Sequence, residues 1–465
     1  MGTQRAWSRF VYSQERMGTV AVFHALHPEI LYVRKDVWEL ALLGSMSAEL
    51  RRILSECGLL VSEGEDDHAL AQNRNDAIAR LSRPMILYLM LAQGCNNACT
   101  YCPIPELAAR HGNTLLSLPN ALAGLEMWKR HVRDSSIGPH YLILYGGEPL
   151  LNRPVLKKIL ERVRQERIAG TLPGDMEVVL PTNGRLIDRA LARTLREHNV
   201  LVSLGIDGPP AHHDVTRLTS EGLPTSGEVL QALRYLHAEG VRLSASMTLT
   251  PVSVRYADDL RTYLRSLGIS NFGFNVLKGS ALADALGAMT QAEYYTAAAQ
   301  AVVNGYGGDL EEFQLQKKLN ALTAGEPFGV DCTCYGNQIV VQADGVVTNC
   351  PFLRYELGNV QTLPEDFRIA NSVAVKLWRT RLPLFAESLE TDANLLSLLH
   401  GGGCTWGATE LGDAAWEPDC GNATYNTEIV HELTWRLLPD GFRDALASGQ
   451  LAYWDRRGYG NHTVA

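Results

Sequence analysis

The chain has no run of 18 or more apolar residues, the length that a bilayer-spanning helix needs, so a membrane protein is not expected. Its first residues, MGTQRAWSRF, contain no apolar stretch of the kind that directs secretion, and the expected compartment is the cytoplasm. Basic residues are in the minority: 42 Lys and Arg stand against 51 Asp and Glu, a formal net charge of -9. That balance argues against a nucleic-acid partner. Short repeats and low-complexity tracts are also missing. With 46% hydrophobic and 20% charged residues the composition is globular, and 465 residues are too many for one ordinary core. Two or three domains are expected.

Cysteine is sparse and unevenly placed. Of nine, Cys57 stands alone, Cys95, Cys99 and Cys102 sit together, and Cys332, Cys334, Cys350, Cys404 and Cys420 follow late in the chain. In a reducing compartment this distribution points to metal or redox chemistry rather than to a disulfide framework. Cys57, beside GLLV, reads as a small buried apolar side chain. QGCNNACTYCP is different, because it crowds three thiols together and omits a fourth. A structural zinc site closes with four ligands. Three thiolates on a loop suit three irons of a cubane iron–sulfur cluster, with one iron left open for a ligand; zinc is the alternative.

From residue 85 onward, apolar strand-like runs alternate with helical patterns. The runs are MILYLMLAQ (85–93), HYLILYGG (140–147), MEVVLPTNG (176–184), VLVSLGIDG (200–208), VRLSASMTLT (241–250) and NFGFNVLK (271–278). Leu186, Ala190, Leu191 and Leu195 recur with a helix-like period between two of them. Six β-then-α units predict an α/β fold with a parallel sheet, open or curled into part of a barrel. The first four runs end in polar or glycine-rich turns, GCNNACTYC, GGEP, PTNG and GIDG. Loops at the carboxyl ends of parallel strands form the active face of such folds, so these turns are expected to meet.

Residues 1–80 read as a small α+β module, joined to the rest by the acidic-polar stretch SEGEDDHALAQNRND. The expected division is 1–80, 81–324, a cysteine-rich module at 325–425 held together by ligation, and a tail at 426–465 packed on the barrel.

C-x-x-x-C-x-aromatic-C, with Tyr101 in the aromatic place, resembles the signature of the radical S-adenosylmethionine (radical SAM) enzymes. YGGEP resembles their GGE turn, and PTNG their ribose-contacting turn. SLGIDG with HHDVTR resembles the segment after their fourth strand. The resemblance covers roughly residues 85–280 and implies a partial (β/α)6 TIM-like barrel. It implies a 4Fe-4S cluster on Cys95, Cys99 and Cys102, and S-adenosylmethionine chelated to the open iron. Tyr101, Gly146, Gly147, Glu148, Thr182, Asn183, Ser203 and Arg217 would hold that cofactor, with Glu148 and its turn at the amino group. A flavodoxin- or ferredoxin-type donor would supply electrons.

DCTCYGNQIVVQADGVVTNCPF reads as a strand–turn–strand that brings its end thiols together. It resembles the auxiliary-cluster extension called SPASM, or its shorter relative called twitch. The five late cysteines can ligate one auxiliary 4Fe-4S cluster, not two. Cys332, Cys334, Cys350 and Cys404 are the preferred set, and Cys420 is spare or replaces Cys332. His400 stands where that family would place a further cysteine. A zinc ribbon with the same ligands is the alternative. In the sulfatase-maturing branch an aspartate base follows the cysteine after the hairpin; here Pro351 follows Cys350, which disfavours that reaction.

The resemblance implies a maturase of ribosomally made (RiPP) precursor peptides, in which hydrogen abstraction leads to bond formation or oxidation. Residues 1–80 would then be a winged-helix-like domain docking the precursor's leader by strand addition. Radical chemistry on a small molecule, a non-catalytic electron carrier and a zinc-binding interaction protein are the competing readings.

Overall fold

The computed structural model describes residues 5–62, 69–70, 72–73, 76, 84–132, 139–277, 279–306, 308–324, 332–353, 355–379, 395–396, 404 and 420–455. Most of the acidic-polar linker and His400 lie outside them.

A sheet of ten strands forms the centre. Six of them, β6 (Ile86–Ala92), β7 (Tyr141–Gly146), β8 (Glu177–Thr182), β9 (Leu201–Gly205), β10 (Arg242–Leu249) and β11 (Asn271–Val276), run parallel and lie side by side in chain order. These are the six apolar runs of the sequence. Sequential order with a helix between neighbours is that of a barrel left open on one side. Burial alternates along the strands: Leu87, Leu89, Leu142, Leu144, Val178, Leu180 and Val202 are dry. Their neighbours Tyr88, Ile143, Tyr145, Val179 and Ser203 are only partly covered. One face therefore packs on helices while the other lines an open interior. The helices supply matching stripes; in Arg153–Ile168 the buried residues Leu156, Ile159, Leu160 and Val163 share one side.

The hairpin of β13 (Gln338–Val341) and β14 (Val346–Thr348) does not stand apart on its own core. β13 pairs parallel with β6, from Gln338 opposite Ile86 to Val341 opposite Leu89, and β15 (Gly358–Asn359) pairs with β14. The physical reason is the apolar run itself: Ile339, Val341 and Val347 bury in the same core as the first barrel strands. At the other end β12 (Glu311–Glu312) pairs with β11.

The N-terminal residues build two smaller sheets. β1 (Arg5–Trp7) pairs with β5 (Leu60–Ser62). β2 (Val11–Arg16), β3 (Thr19–His24) and β4 (His27–Arg34) form an antiparallel sheet, followed by helices Lys35–Leu42 and Ala48–Glu56. Ser47 caps the second helix, accepting from the Leu50 amide at 3.1 Å. Cys57 is buried in this module's core, as its apolar neighbours suggested.

The tail does more than pack on the barrel. Helix Cys420–Arg436 buries Tyr425, Ile429 and Leu433 in the core that holds Tyr294 and Tyr295 of helix Gln291–Val303. Beyond it β16 (Tyr453–Asp455) pairs antiparallel with β4, so the sheet order is β16-β4-β3-β2. Trp454 stacks on Phe442, with ring centroids 4.7 Å apart, and meets Tyr32 at 5.7 Å. No described helix is long and apolar enough to cross a membrane.

Candidate active site

The cysteine loop leaves the carboxyl end of β6 and is bound at once by the turn after β7. The Gly147 amide donates to the Ala92 carbonyl at 2.9 Å, and the Glu148 amide to the Gly94 carbonyl at 3.0 Å. Backbone meets backbone here. A Cβ on Gly147 would stand 2.3 Å from the Gly94 oxygen, and one on Gly146 (φ +147°) 2.3 Å from the Ala92 oxygen. Only glycine permits that approach.

Glu148, fully buried, ties the β7 turn to the β8 turn. Its carboxylate accepts from the Leu150 amide (2.9 Å), the Thr182 hydroxyl (2.8 Å) and the Asn183 amide (2.9 Å). Burial pushes this carboxyl above its ordinary range, against the pull of those three donors. The Asn183 side chain reaches on to the cysteine loop, donating to Asn96 Oδ1 at 2.8 Å with Cys95 Sγ 3.7 Å away. Arg185 continues the brace, donating to the Asn96 carbonyl (2.7 Å) and to Asn97 Oδ1 (3.0 Å). Glu148, Thr182 and Asn183 are thus spent largely on holding loops together.

The fourth turn supplies a residue that the sequence reading did not single out. Asp207 lies just beyond β9 and is 2% exposed. It receives Arg217 through two bonds (Nε 2.8 Å, Nη2 3.0 Å), the Tyr101 hydroxyl at 2.6 Å and the Thr248 amide at 2.8 Å. Burial acts against its charge, yet the Arg217 guanidinium and these donors hold its carboxyl below the usual range. Room for the guanidinium exists because residue 205 is glycine; a Cβ there would stand 2.5 Å from Arg217 Nη1. The only available signal was an acidic residue at a strand's carboxyl end, ten residues before Arg217.

The loop is also stitched to the segment around Arg217: the Ala98 amide donates to the Leu218 carbonyl (2.8 Å) and the Thr100 amide to the Thr216 carbonyl (2.9 Å). A cavity of about 220 Å³ opens beside this network, lined by Tyr101, Asp207, Thr248, Thr250 and Leu277 among others. The other three strand-end turns therefore converge on the three-thiol loop. Ser203 does not join that contact network: it sits within β9, opposite Pro181 and Ser244, two residues before the strand's end at Gly205.

Burial pushes the Cys95 thiol up to about 12 and Cys102 up to about 11, and raises Cys99 as well. Such thiols stay protonated unless a cationic centre replaces the proton. Among the described residues no three His, Cys, Asp or Glu side chains stand close enough to share a single ion.

Cys332, Cys334 and Cys350 form a second group, packed with Tyr335, Phe352 and Leu353. Hydrogen bonds with Cys332 and Cys350, together with burial, hold the Cys334 thiol well above its ordinary value. Gln338 Nε2 donates to Cys334 Sγ (3.5 Å) and to the Asn349 carbonyl (2.6 Å), bridging the two ends of the hairpin. The Phe352 amide donates to Cys350 Sγ at 3.4 Å. Cys404 is half-buried. Cys420 begins the helix Cys420–Arg436, and its side chain lies outside the described set.

Residues 89–263 match the Radical SAM superfamily model. The serine-type anaerobic sulfatase-maturating enzyme of Bacteroides thetaiotaomicron is 27% identical over 178 residues, 37% of this chain and 41% of that enzyme. The cysteine-type enzyme of Clostridium perfringens is 25% identical over 293 residues, 58% of this chain and 76% of that enzyme. A solved structure described as native anSMEcpe with bound AdoMet and Cp18Cys peptide is similar in fold, with TM-score 0.60 at 21% identity, covering 76% of this chain and 97% of that one. The chain carries a radical SAM domain, whose family uses S-adenosylmethionine and a 4Fe-4S cluster.

Proposed function

We propose that this radical SAM chain modifies a ribosomally made precursor peptide. The observation that carries the reading is the convergence of the three following strand-end turns on the loop of Cys95, Cys99 and Cys102. When bound, the cluster and S-adenosylmethionine would supply radical chemistry able to take hydrogen from an unactivated C–H bond.

The protein's part is holding and shielding. Cys95, Cys99 and Cys102 hold the cluster. With the Gly147 and Glu148 amides already given to the Ala92 and Gly94 carbonyls, backbone oxygen at the Gly146–Glu148 turn would accept from the amino end of S-adenosylmethionine, and Thr182 and Asn183 would border the ribose side. Arg217, locked on Asp207, and Tyr101 close the wall beside the cavity at β10 and β11. Ser203 faces the interior from β9. Cys332, Cys334 and Cys350, with Cys404 or Cys420, would hold an auxiliary cluster.

A peptide substrate is supported by the fold match to a structure containing a bound peptide. The sulfatase-type outcome is not, because Pro351 beside Cys350 cannot take up a proton. Crosslinking or another oxidation with a different proton acceptor suits the chain better. For leader docking by strand addition, β4 is already covered by β16, so among the described residues the outer strands are β16 and β2, and the longer, β2, is the proposed edge. A flavodoxin or ferredoxin is the proposed electron source.

The test is to incubate the reconstituted, reduced enzyme and S-adenosylmethionine with candidate precursors, with and without their leaders, and to read the peptide mass. A mass loss of hydrogen that depends on the leader supports the reading. Turnover of only small molecules, or no effect of the leader, contradicts it.

A further inference from the structure

The interior face of the sheet is not uniform. Toward β8 and β9 it presents Val179, Pro181 and Ser203. Between the two cysteine groups it presents aromatic rings instead. Tyr88 of β6 and Tyr145 of β7 meet edge to face, with centroids 5.8 Å apart and planes at 84°. Tyr145 meets Phe352 in the same way at 6.4 Å. Phe352 is in turn held by its own amide to Cys350 Sγ. At the other end, Tyr145 immediately precedes the Gly146–Gly147 turn that grips the cysteine loop. Its ring lies within electrostatic reach of both Cys102 and Cys350, while Tyr88 lies within reach of Cys332, Cys334 and Cys350.

We infer that Tyr145, with Tyr88 and Phe352, is the electronic bridge between the cluster on Cys95, Cys99 and Cys102 and the auxiliary cluster behind the hairpin. This rests on the two-cluster reading above. One electron leaves one cluster and reduces the other; no bond changes and no proton moves. Stacked and edge-to-face rings offer polarizable, closely spaced orbitals across a gap that aliphatic side chains would fill less effectively. Among the described residues neither tyrosine hydroxyl bonds a proton acceptor. Oxidising a phenol with no destination for its proton is costly. The rings therefore act as a path rather than as a stopping place, and the hydroxyls are dispensable.

That last point separates the bridge from a role as hydrogen donor to a product radical, for which the hydroxyl would be needed. Tyr145→Phe, Tyr145→Leu and Phe352→Leu enzymes are reconstituted anaerobically, and iron content and Mössbauer spectra establish both clusters. Each is given less than one electron per molecule. Freeze-quench electron paramagnetic resonance then follows equilibration between the two signals. The expected result is a fast phase in the parent and in Tyr145→Phe, lost in both leucine variants. Equilibration in both leucine variants at the parent rate would overturn the bridge, and so would a phenylalanine variant as slow as leucine. Iron at only one site in the parent is a different result: it removes the two-cluster reading, and the bridge with it.

Discussion

At the residue scale, the Asp207–Arg217 pair is the most consequential interaction in the candidate site. Asp207 is 2% exposed and the Arg217 side chain 11%. Removing one partner strands a buried charge, which typically costs about 3–5 kcal/mol. Asp207→Asn is expected to lower unfolding stability by that order and to weaken S-adenosylmethionine binding, measured by urea denaturation and calorimetry. Beside it His213 is buried, its Nδ1 accepting from the Asp207 amide (3.2 Å) and its Nε2 paired with the Thr225 hydroxyl (3.1 Å). Burial, helped by Arg217, lowers its pKa to about 4. The unfolded chain therefore binds the extra proton first as pH falls. Stability that is fully present above about 6.5 should decline toward pH 4, by up to about 3 kcal/mol. Urea unfolding of the cluster-free protein between pH 4 and 7 measures this, and His213→Gln should flatten the dependence.

At the element scale, the six strands were legible as apolar runs, the first four of them closed by a turn signal. The same local pattern also placed Cys95, Cys99, Cys102 and the GGE turn on one face. Other elements were not legible, for identifiable reasons. β4 contains Pro28 near its start, a breaker immediately before the strand-like EILYVR. The docking of β13 on β6 joins residues some 250 positions apart, and no local pattern encodes a partner at that distance. It depends instead on a glycine. In helix Leu118–Val132, a Cβ on Gly124 would stand 2.8 Å from Val341 Cγ2 and 3.2 Å from Leu89 Cδ2. Gly124→Val should overpack this contact and cost roughly 1–3 kcal/mol, read as a lower urea midpoint. The tyrosines of the bridge were visible as alternate positions in ILYLMLA and YLILYG. Their significance emerged only when the hairpin was seen beside them.

At the scale of the whole molecule, the two ends of the chain are built into one another. β16 seals β4, and Trp454, 7% exposed, is held between Tyr32 and Phe442. An unpaired edge strand invites association with other chains. Trp454→Ala should cost about 3–5 kcal/mol, and removal of residues 451–465 should produce concentration-dependent association. Thermal melts and light scattering check the two outcomes. The second cysteine group's hairpin joins the barrel by long-range pairing, while the tail and the N-terminal sheet pair with each other and share a core with it, so motifs revealed the chemistry far more readily than the assembly.

The central claim is that three early thiolates place S-adenosylmethionine for reductive cleavage. Its most direct measurement is 5′-deoxyadenosine release by the anaerobically reconstituted, dithionite-reduced protein, compared with a variant carrying alanine at Cys95, Cys99 and Cys102. The account predicts release from the parent and none above background from the variant, with the iron of the second cysteine group retained. Equal release from both proteins, or none from a fully iron-loaded parent, would contradict it.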